Sequence, residues 1–428
     1  MIEAGVSIVD ITPPAGIPMA GFAARVPTAI GAHDPLTIRA LVIGDTAIAV
    51  ADVIGIDADL SHRVRMSCGL PPDKVTLTAT HTHGGPVSMD GRLAKTADPG
   101  FLRQLEEGFV TALRRAQNNM EPVILFGGTG VEPGIARNRR HMDGPVDGGV
   151  PVLRLDRADG SALAILVSYA CHPVVLSSDN LLWTSDYPHF VRTALEEALP
   201  GAVAIFATGC AGDVNTGHSA AASLDPAGNP LRSYAEAERI GLAIAASALQ
   251  APLRALGDEV SAAQSFAALD FAPNGDVLAQ HAEWRAERQT AAPLRALLLD
   301  IWTDWATSLA EENPPPLRQR VTAANWGGAR MLALPGEIFA HTALDLRQSL
   351  RAGQSGPLFV LGYADDNPGY IPPEGEFAFG GYEVTEAHRF YGLPAGLAPR
   401  SAERLATAVL DAAGGQYDDD TSKGDCHD

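Results

Sequence analysis

The chain has 428 residues, 46% of them hydrophobic and 19% charged, a composition that belongs to a soluble globular protein with room for one large or two ordinary domains. A formal net charge of −20 at pH 7 argues against a nucleic-acid partner, and no apolar run approaches the roughly 20 residues that a membrane helix needs. The opening MIEAGVSIVDITPP lacks a basic segment followed by an apolar one, so no signal peptide is expected. Cys68, Cys171, Cys210 and Cys426 are scattered and form no CxxC pair, which favours reduced thiols and a cytoplasmic setting.

In chain order, residues 6–11 read as a strand stopped by Thr12-Pro13-Pro14, and 38–43 with 47–51 read as a hairpin turned at Gly44-Asp45-Thr46. A helix is predicted over 60–68, then a strand from Val75. An amphipathic helix follows over 100–117, with Leu102, Leu105, Phe109, Val110 and Leu113 at helical spacing. Strands are predicted over 123–126 and 152–155. The loop between them carries Arg137-Asn138-Arg139-Arg140-His141, at least two of whose arginines are expected on a solvated face. The apolar run 163–171 ends at His172-Pro173, and Asp186 is placed to cap a helix over 190–199. Strand 203–207 leads into Thr208-Gly209-Cys210-Ala211-Gly212-Asp213-Val214-Asn215, whose small residues suit close backbone approach to a ligand. Helix 233–249 precedes a helical hairpin whose tryptophans, Trp284, Trp302 and Trp305, are expected to pack. Strand 330–334, a helix through Leu350, strand 358–363, the loop 364–381 and a final helix over 402–412 complete the chain. Alternating strands and helices imply an α/β fold, a mixed sheet core flanked by helices with an inserted helical hairpin. The organisation expected is a single domain over 1–415, with 277–316 as the insertion and 416–428 as a polar, disordered tail.

Thr78-Ala79-Thr80-His81-Thr82-His83-Gly84-Gly85-Pro86 is the most informative stretch. Val75, Leu77 and Ala79 alternate with threonines, and His81 and His83 continue the apolar parity where glycines end the strand. Two imidazoles on one side of a strand end are suited to a divalent metal. His172 and Glu337 also stand at predicted strand ends, where open α/β sheets bind ligands, and two histidines with a glutamate make a sufficient set for catalytic zinc. Asp52, at the end of its own strand, is expected to orient a ligand imidazole. The plainer readings are a hydrogen-bonded strand-end histidine for His172, a first-turn helix glutamate for Glu337 and a loop anchor for Tyr370. Asp186 and Asp213 read as a cap and a turn residue. His62, His189, His218, His281, His341 and His388 receive no role.

With these motifs in order, the chain resembles the neutral/alkaline (non-lysosomal) ceramidase family. The match rests on Thr80-His81-Thr82-His83-Gly84-Gly85-Pro86, the strand ending in His172, Leu334-Pro335-Gly336-Glu337, and Gly369-Tyr370 with Tyr382 following, supported by Asn138-Arg139 and Ala211-Gly212-Asp213. The resemblance implies one zinc ion held by His81, His172, Glu337 and Tyr370, with His83, Arg139 and Tyr382 as catalytic residues of the pocket. It also implies hydrolysis of a linear N-acyl amide, the bond the family cleaves in ceramide. Two departures point away from ceramide itself: Asn215 stands where the ceramidases carry a serine, and the family's carboxyl-terminal β-sandwich domain is not expected here. An esterase or lactonase using the same site, or an inactive metal-binding scaffold, are the alternatives. The partner expected is a small-molecule amide or ester, with no nucleic acid, no integral membrane segment, and a homo-oligomer left open.

Overall fold

The period-two runs of the first half become strands of one sheet. The computed structural model describes residues 1–23, 25–218, 229, 231–309, 314–352 and 355–414. The predicted tail 416–428, with Cys426, lies outside the described residues, as do residues 310–313 of the predicted insertion. Strands β1 (Ile2–Asp10), β2 (Thr37–Ile43), β3 (Thr46–Ala51), β4 (Val75–Ala79), β5 (Glu121–Gly130), β6 (Val150–Arg157), β7 (Ala162–Tyr169) and β8 (Val203–Thr208) lie in the order β8-β7-β6-β5-β1-β2-β3-β4. The short strand Arg254–Ala255 adds to β5. Pairs β3–β4 and β7–β8 are parallel and the other neighbours on this path antiparallel, so the sheet is mixed as expected. Parallel neighbours need crossovers, and helices supply them. Helix α1 (Ala58–Ser67) runs between β3 and β4, and α2 (Pro99–Asn118) follows β4. Helix α3 (Tyr187–Ala198) joins β7 to β8, and α4 (Tyr234–Leu249) follows β8. Asp57, Asp98 and Asp186 cap the first three, each accepting a hydrogen bond from a first-turn amide.

A second sheet holds β9 (Val260–Leu269), β10 (Leu317–Trp326), β11 (Ala329–Ala333) and β12 (Leu358–Leu361) in that spatial order. The hairpin α5 (Val277–Arg288) and α6 (Pro293–Ser308) is inserted between β9 and β10. Helix α7 (Ala340–Ser349) crosses from β11 to its parallel neighbour β12, and α8 (Ser401–Ala412) closes the described chain. Strands β9 and β10 were not expected from the sequence. Alanine and serine fill most of β9, and β10 opens on Leu317-Arg318-Gln319-Arg320, so neither shows large apolar residues at period two. What makes them strands is their ten-residue mutual register, from Val260↔Trp326 to Leu269↔Leu317.

Alternate side chains sort the molecule into layers. On β2, Ile38, Ala40 and Val42 pack with Leu60, Val64, Phe101 and Phe109 of α1 and α2. Their neighbours Leu41 and Ile43 face Trp326, Met331 and Phe359 of the second sheet. On β10, Ala324 and Trp326 lie in that same inter-sheet core, while Val321 and Ala323 pack toward Leu346 of α7 and Leu405 and Val409 of α8. The result is a helix–sheet–sheet–helix sandwich. The larger sheet also curls, because Thr208 Oγ1 at the end of β8 donates to Thr80 O just beyond β4 at 2.6 Å. Gly209 bridges to Leu361 and Thr78 to Ala364, so the ends of β4, β8 and β12 meet at one place.

Hairpin α5–α6 buries Trp284, Leu299, Trp302 and Trp305 against one another, the packing role expected. The Arg389 guanidinium lies 4.8–5.5 Å from all three indole centroids. Trp305 Nε1 donates to Leu393 O at 2.7 Å, which ties the hairpin to the segment after Tyr382. Among the described residues, no helix is long and apolar enough to cross a membrane.

Candidate active site

The carboxyl ends of four strands, two from each sheet, meet at this place, and the chain after each delivers a residue there. His81 follows β4, His172 follows β7, Glu337 follows β11 and Tyr370 follows β12. The β4 strand does not continue through the histidines as the parity argument expected. It ends at Ala79, and His81 takes a left-handed φ of 63°, a conformation that costs energy for a residue with a side chain. The turn still leaves the His81 and His83 rings 5.2 Å apart at 83°, with the His172 ring 4.7 Å from His81. His81, His83 and His172 each offer a ring nitrogen within 4.8 Å of the others', a group that could hold a metal ion.

The hydrogen bonds decide which nitrogens are free. His81 Nδ1 donates to Ile54 O at 2.6 Å, and His172 Nδ1 donates to Ala211 O at 2.5 Å. Both Nε2 atoms therefore turn inward, toward Glu337 Oε2 at 3.3 Å and 3.0 Å. His81 Nε2 makes no hydrogen bond despite that distance. Neutral imidazoles that donate from Nδ1 present lone pairs at Nε2, so two lone pairs and a carboxylate oxygen converge. Burial pushes the His172 ring down to about 4, which disfavours the imidazolium that would otherwise supply a proton between them. Burial alone would raise the Glu337 carboxyl, but the attraction that His81 and His172 exert when they carry a positive charge holds it well below the usual range, so an ionised Glu337 calls for a cation beside it, a proton on a ring or a metal. An electron-rich triangle of this kind fits a cation, and its two Nδ1–carbonyl bonds are the outer support such ligands use.

Glu337 is held from the other side by Tyr391, whose hydroxyl donates to Glu337 Oε1. Sequence reasoning missed Tyr391; the only signal was its place after a Tyr382 already singled out. It likewise missed Tyr363, whose ring stacks on His81 at 4.1 Å and 21°. Glu337–Ile338 pairs in parallel with Tyr370–Ile371, a ladder rather than the helix first turn of the plainer reading. Gly212 has a structural reason different from the one expected. A Cβ there would lie 2.4 Å from Glu337 O, so the glycine admits the Glu337 backbone rather than a ligand.

Arg139 directly follows a two-residue ladder in which Val214 pairs with Asn138; its amide donates to Asp213 O at 2.8 Å and its Nη2 to Tyr370 Oη at 3.0 Å. Burial would weaken its charge, but Tyr370 and Glu383 raise it further above the ordinary arginine value, and Glu383 Oε1 accepts from Nε at 2.9 Å. Of the three arginines, at least two of which were expected on a solvated face, Arg137 alone is exposed; Arg140 is nearly buried between Glu376 and Glu383. Tyr382 meets Tyr370 edge-on at 5.7 Å, and burial keeps its hydroxyl protonated.

A cavity of about 270 Å³ opens beside the triangle. Its walls include His83, Arg139, Glu337, Tyr370 and Tyr382, with Leu298 as the contribution of the hairpin. Gly21 makes room for His83, since a Cβ there would stand 2.5 Å from His83 Cγ. Half-buried by area, His83 nevertheless has both ring nitrogens buried and without hydrogen bonds among the described residues. Burial, with His81 next in weight, holds that ring well below its usual value.

Three further expectations change. Among the described residues Asp52 bonds no imidazole: it takes a bidentate bond from Arg192 at 2.7 and 3.0 Å and another from Thr37 N, bracing α3 against the sheet. His218, given no role, lines the cavity beside Asn215. Asn215 spends its side chain on the local turn, accepting from the amides of Gly217 and His218 and donating to His218 O. Asp213 is more than a turn residue, since it accepts from Ala340 N at the start of α7.

Residues 2–230, more than half of the chain, match the family model described as neutral/alkaline non-lysosomal ceramidase, N-terminal. Two solved structures share the fold. One is a ceramidase complexed with C2, at 19% identity and a TM-score of 0.75, matched over 96% of this chain and 75% of that one. The other is the neutral ceramidase from Pseudomonas aeruginosa, also at 19% identity, with a TM-score of 0.72 over 95% and 74%.

Proposed function

The chain belongs to the neutral/alkaline non-lysosomal ceramidase family, and from that premise we propose that it is a zinc-dependent amidohydrolase cleaving a linear N-acyl amide. The observation that carries the reading is the convergence of the His81 and His172 Nε2 atoms on Glu337 Oε2 at 3.3 and 3.0 Å, with both Nδ1 atoms already committed to carbonyls. His81, His172, Glu337 and Tyr370 would hold one zinc ion. Bound there, zinc supplies Lewis acidity and lowers the pKa of a water to about 7.

The chain's own residues supply the rest. His83 is neutral at working pH, and its Nδ1 edge lies against Gly21, which leaves Nε2 to accept a proton from the attacking water. The same nitrogen then returns that proton to the departing amine. Arg139, fixed in direction by Glu383, and the protonated hydroxyl of Tyr382 are the donors for the oxyanion. Asn215 carries a carboxamide, which neither attacks nor titrates and is largely spent on the local turn, so a serine hydroxyl's role in the ceramidases cannot be carried over and Asn215 could at most donate one hydrogen bond. Buried, unpaired Cys68, Cys171 and Cys210 support a reducing, cytoplasmic setting.

Elemental analysis of the purified protein, with hydrolysis of matched N-acyl amides and esters before and after chelation, tests the proposal. The expected result is about one zinc per chain and amide hydrolysis that falls on chelation and returns with zinc. A protein that binds no zinc, or hydrolyses only the esters, overturns it.

A further inference from the structure

Elsewhere in this chain, buried arginines face carboxylates: Arg192 meets Asp52, Arg139 and Arg140 meet Glu383, and Arg65 and Arg320 meet Asp365. One group breaks that habit. Arg25, Lys95 and Arg232 gather at the end of the cavity behind His83, and none has a carboxylate within ion-pair distance among the described residues. Their partners are backbone carbonyls. Arg25 donates to Ala20 O at 2.9 Å and His83 O at 2.7 Å, with longer bonds to Ser177 O and Ser178 O. Lys95 Nζ donates to Met19 O and Arg25 O at 2.9 and 3.0 Å, and Arg232 donates to the carbonyls of Val174, Val175 and Leu176. Carbonyls orient these cations without neutralising them, and the carboxylates that act on them, Asp179 on Arg25 and both Asp186 and Asp179 on Arg232, do so from beyond ion-pair distance, so the buried charge is only partly compensated.

Two of the three keep donors in reserve. Lys95 and Arg232 both line the cavity. The ammonium has spent two of its three N–H groups, and Arg232 Nη1 makes no hydrogen bond among the described residues. The cluster is also close to the chemistry. Phe22 lies with its ring 5.0 Å from the His83 ring, and the Arg25 and Arg232 guanidinium carbons are 4.6 and 5.7 Å from the Phe22 centroid. Burial, with Arg25 next in weight, lowers the Lys95 ammonium to about 8, which fits a site short of negative charge. Of the carboxylates lining the cavity, Glu337 is taken by the histidines and Tyr391, and Glu386 acts on Arg295 and Arg389 of the hairpin side.

We propose that the cavity takes small amides that carry a carboxylate, which is received by Lys95 and Arg232 about one aromatic ring beyond the scissile bond. The inference rests on the amide-hydrolase reading for the reaction, while the anion preference is measured without it. The substrate class is therefore an N-acyl amino acid or a dicarboxylic monoamide rather than a neutral lipid amide, and about 270 Å³ suits the smaller compounds.

The test is calorimetric binding to the chelated protein, which needs no turnover, with two matched pairs. The pairs are N-acetyl-L-leucine against N-acetyl-L-leucinamide, and glutaric monobutylamide against its methyl ester. At least one acid should bind tenfold or more tightly than its neutral partner. Lys95→Met with Arg232→Gln should erase that ratio, Lys95→Met alone should reduce it, and Lys95→Arg should keep it. Should the double variant fail to fold, the two Lys95 variants decide the matter. Equal affinities within both pairs, or a preference unchanged in Lys95→Met, overturn the proposal. A protein that shows the preference but hydrolyses no amide with zinc restored defeats the amide-hydrolase reading and leaves the anion site standing.

Discussion

The two sides of the histidine–glutamate triangle are held in different ways. His81 and His172 descend from the larger sheet, and each is locked by a backbone carbonyl, Ile54 O or Ala211 O. Glu337 comes from the second sheet and is locked by a side chain, the hydroxyl of Tyr391. Tyr391 belongs to a short segment that the α5–α6 hairpin clasps through Arg389 and Leu393. Carbonyls at the ends of a curled sheet move only when the fold moves, whereas a tyrosine moves with the segment that carries it. The histidine side is therefore as rigid as the sandwich, and the glutamate side can be adjusted by what packs beneath the hairpin.

Removing the rigid side should cost most. His81→Ala or His172→Ala should empty the metal site and reduce hydrolysis to background, while circular dichroism stays native; bound metal with lost activity would dissociate the two roles. His83→Ala should keep the metal and lose about 10²–10⁴ in turnover, the usual weight of a general acid–base group. If elemental analysis shows that site empty too, His83 is a ligand and the proton shuttle lies elsewhere. On the adjustable side, Tyr391→Phe should weaken metal affinity by about 10–100-fold in a chelator competition while sparing the fold. An unchanged affinity would mean that the tyrosine bond does not position Glu337.

Smaller effects probe the clasp. Arg389→Ala should cost about 0.5–2 kcal/mol of cation–π stabilisation, read as earlier proteolysis within Val277–Ser308 and a raised KM with little change in kcat. A wild-type proteolysis pattern would remove the clasp from the comparison. Acid should loosen the same region, because burial and the adjacent Arg389 push the His388 ring down to about 3. A histidine depressed in the folded state contributes stability fully above its unfolded value near 6.5, and that contribution is lost as pH falls toward 3. His388→Leu should flatten the acid limb of a melting-temperature profile across that window relative to wild type, and parallel profiles would show that His388 does not contribute.

The same division runs through what could be read from residue order. Strands β1 to β8 were legible because each carries an apolar run, alternating with threonines in β4 and continuous in β7 and β8, bounded by turn or polar residues. Strands β9 and β10 were not, because alanine, serine and arginine reveal their pairing only when each supplies the other's register. Asp186 was legible as a cap, since a cap is a local contact, whereas Asp52 was misread, since its partner Arg192 is 140 residues away. Among the arginines, neighbours in sequence could not show that Arg140 would be buried against Glu376 and Glu383.

By itself, then, the amino-acid sequence determined the α/β class, the helix cap at Asp186, and the candidate residues His81, His83, His172, Glu337 and Tyr370. It did so because period, capping and strand-end chemistry are local. Only the tertiary structure decided that those residues share one place, that Nδ1 of two histidines is already committed, and that Tyr391 backs Glu337. It also decided that a chain of net charge −20 shelters three cations beside its candidate active site with no carboxylate in ion-pair contact among the described residues. The reason is physical: a composition sums charge over the whole surface, but a cavity responds to the few groups that the folded backbone brings within hydrogen-bond reach.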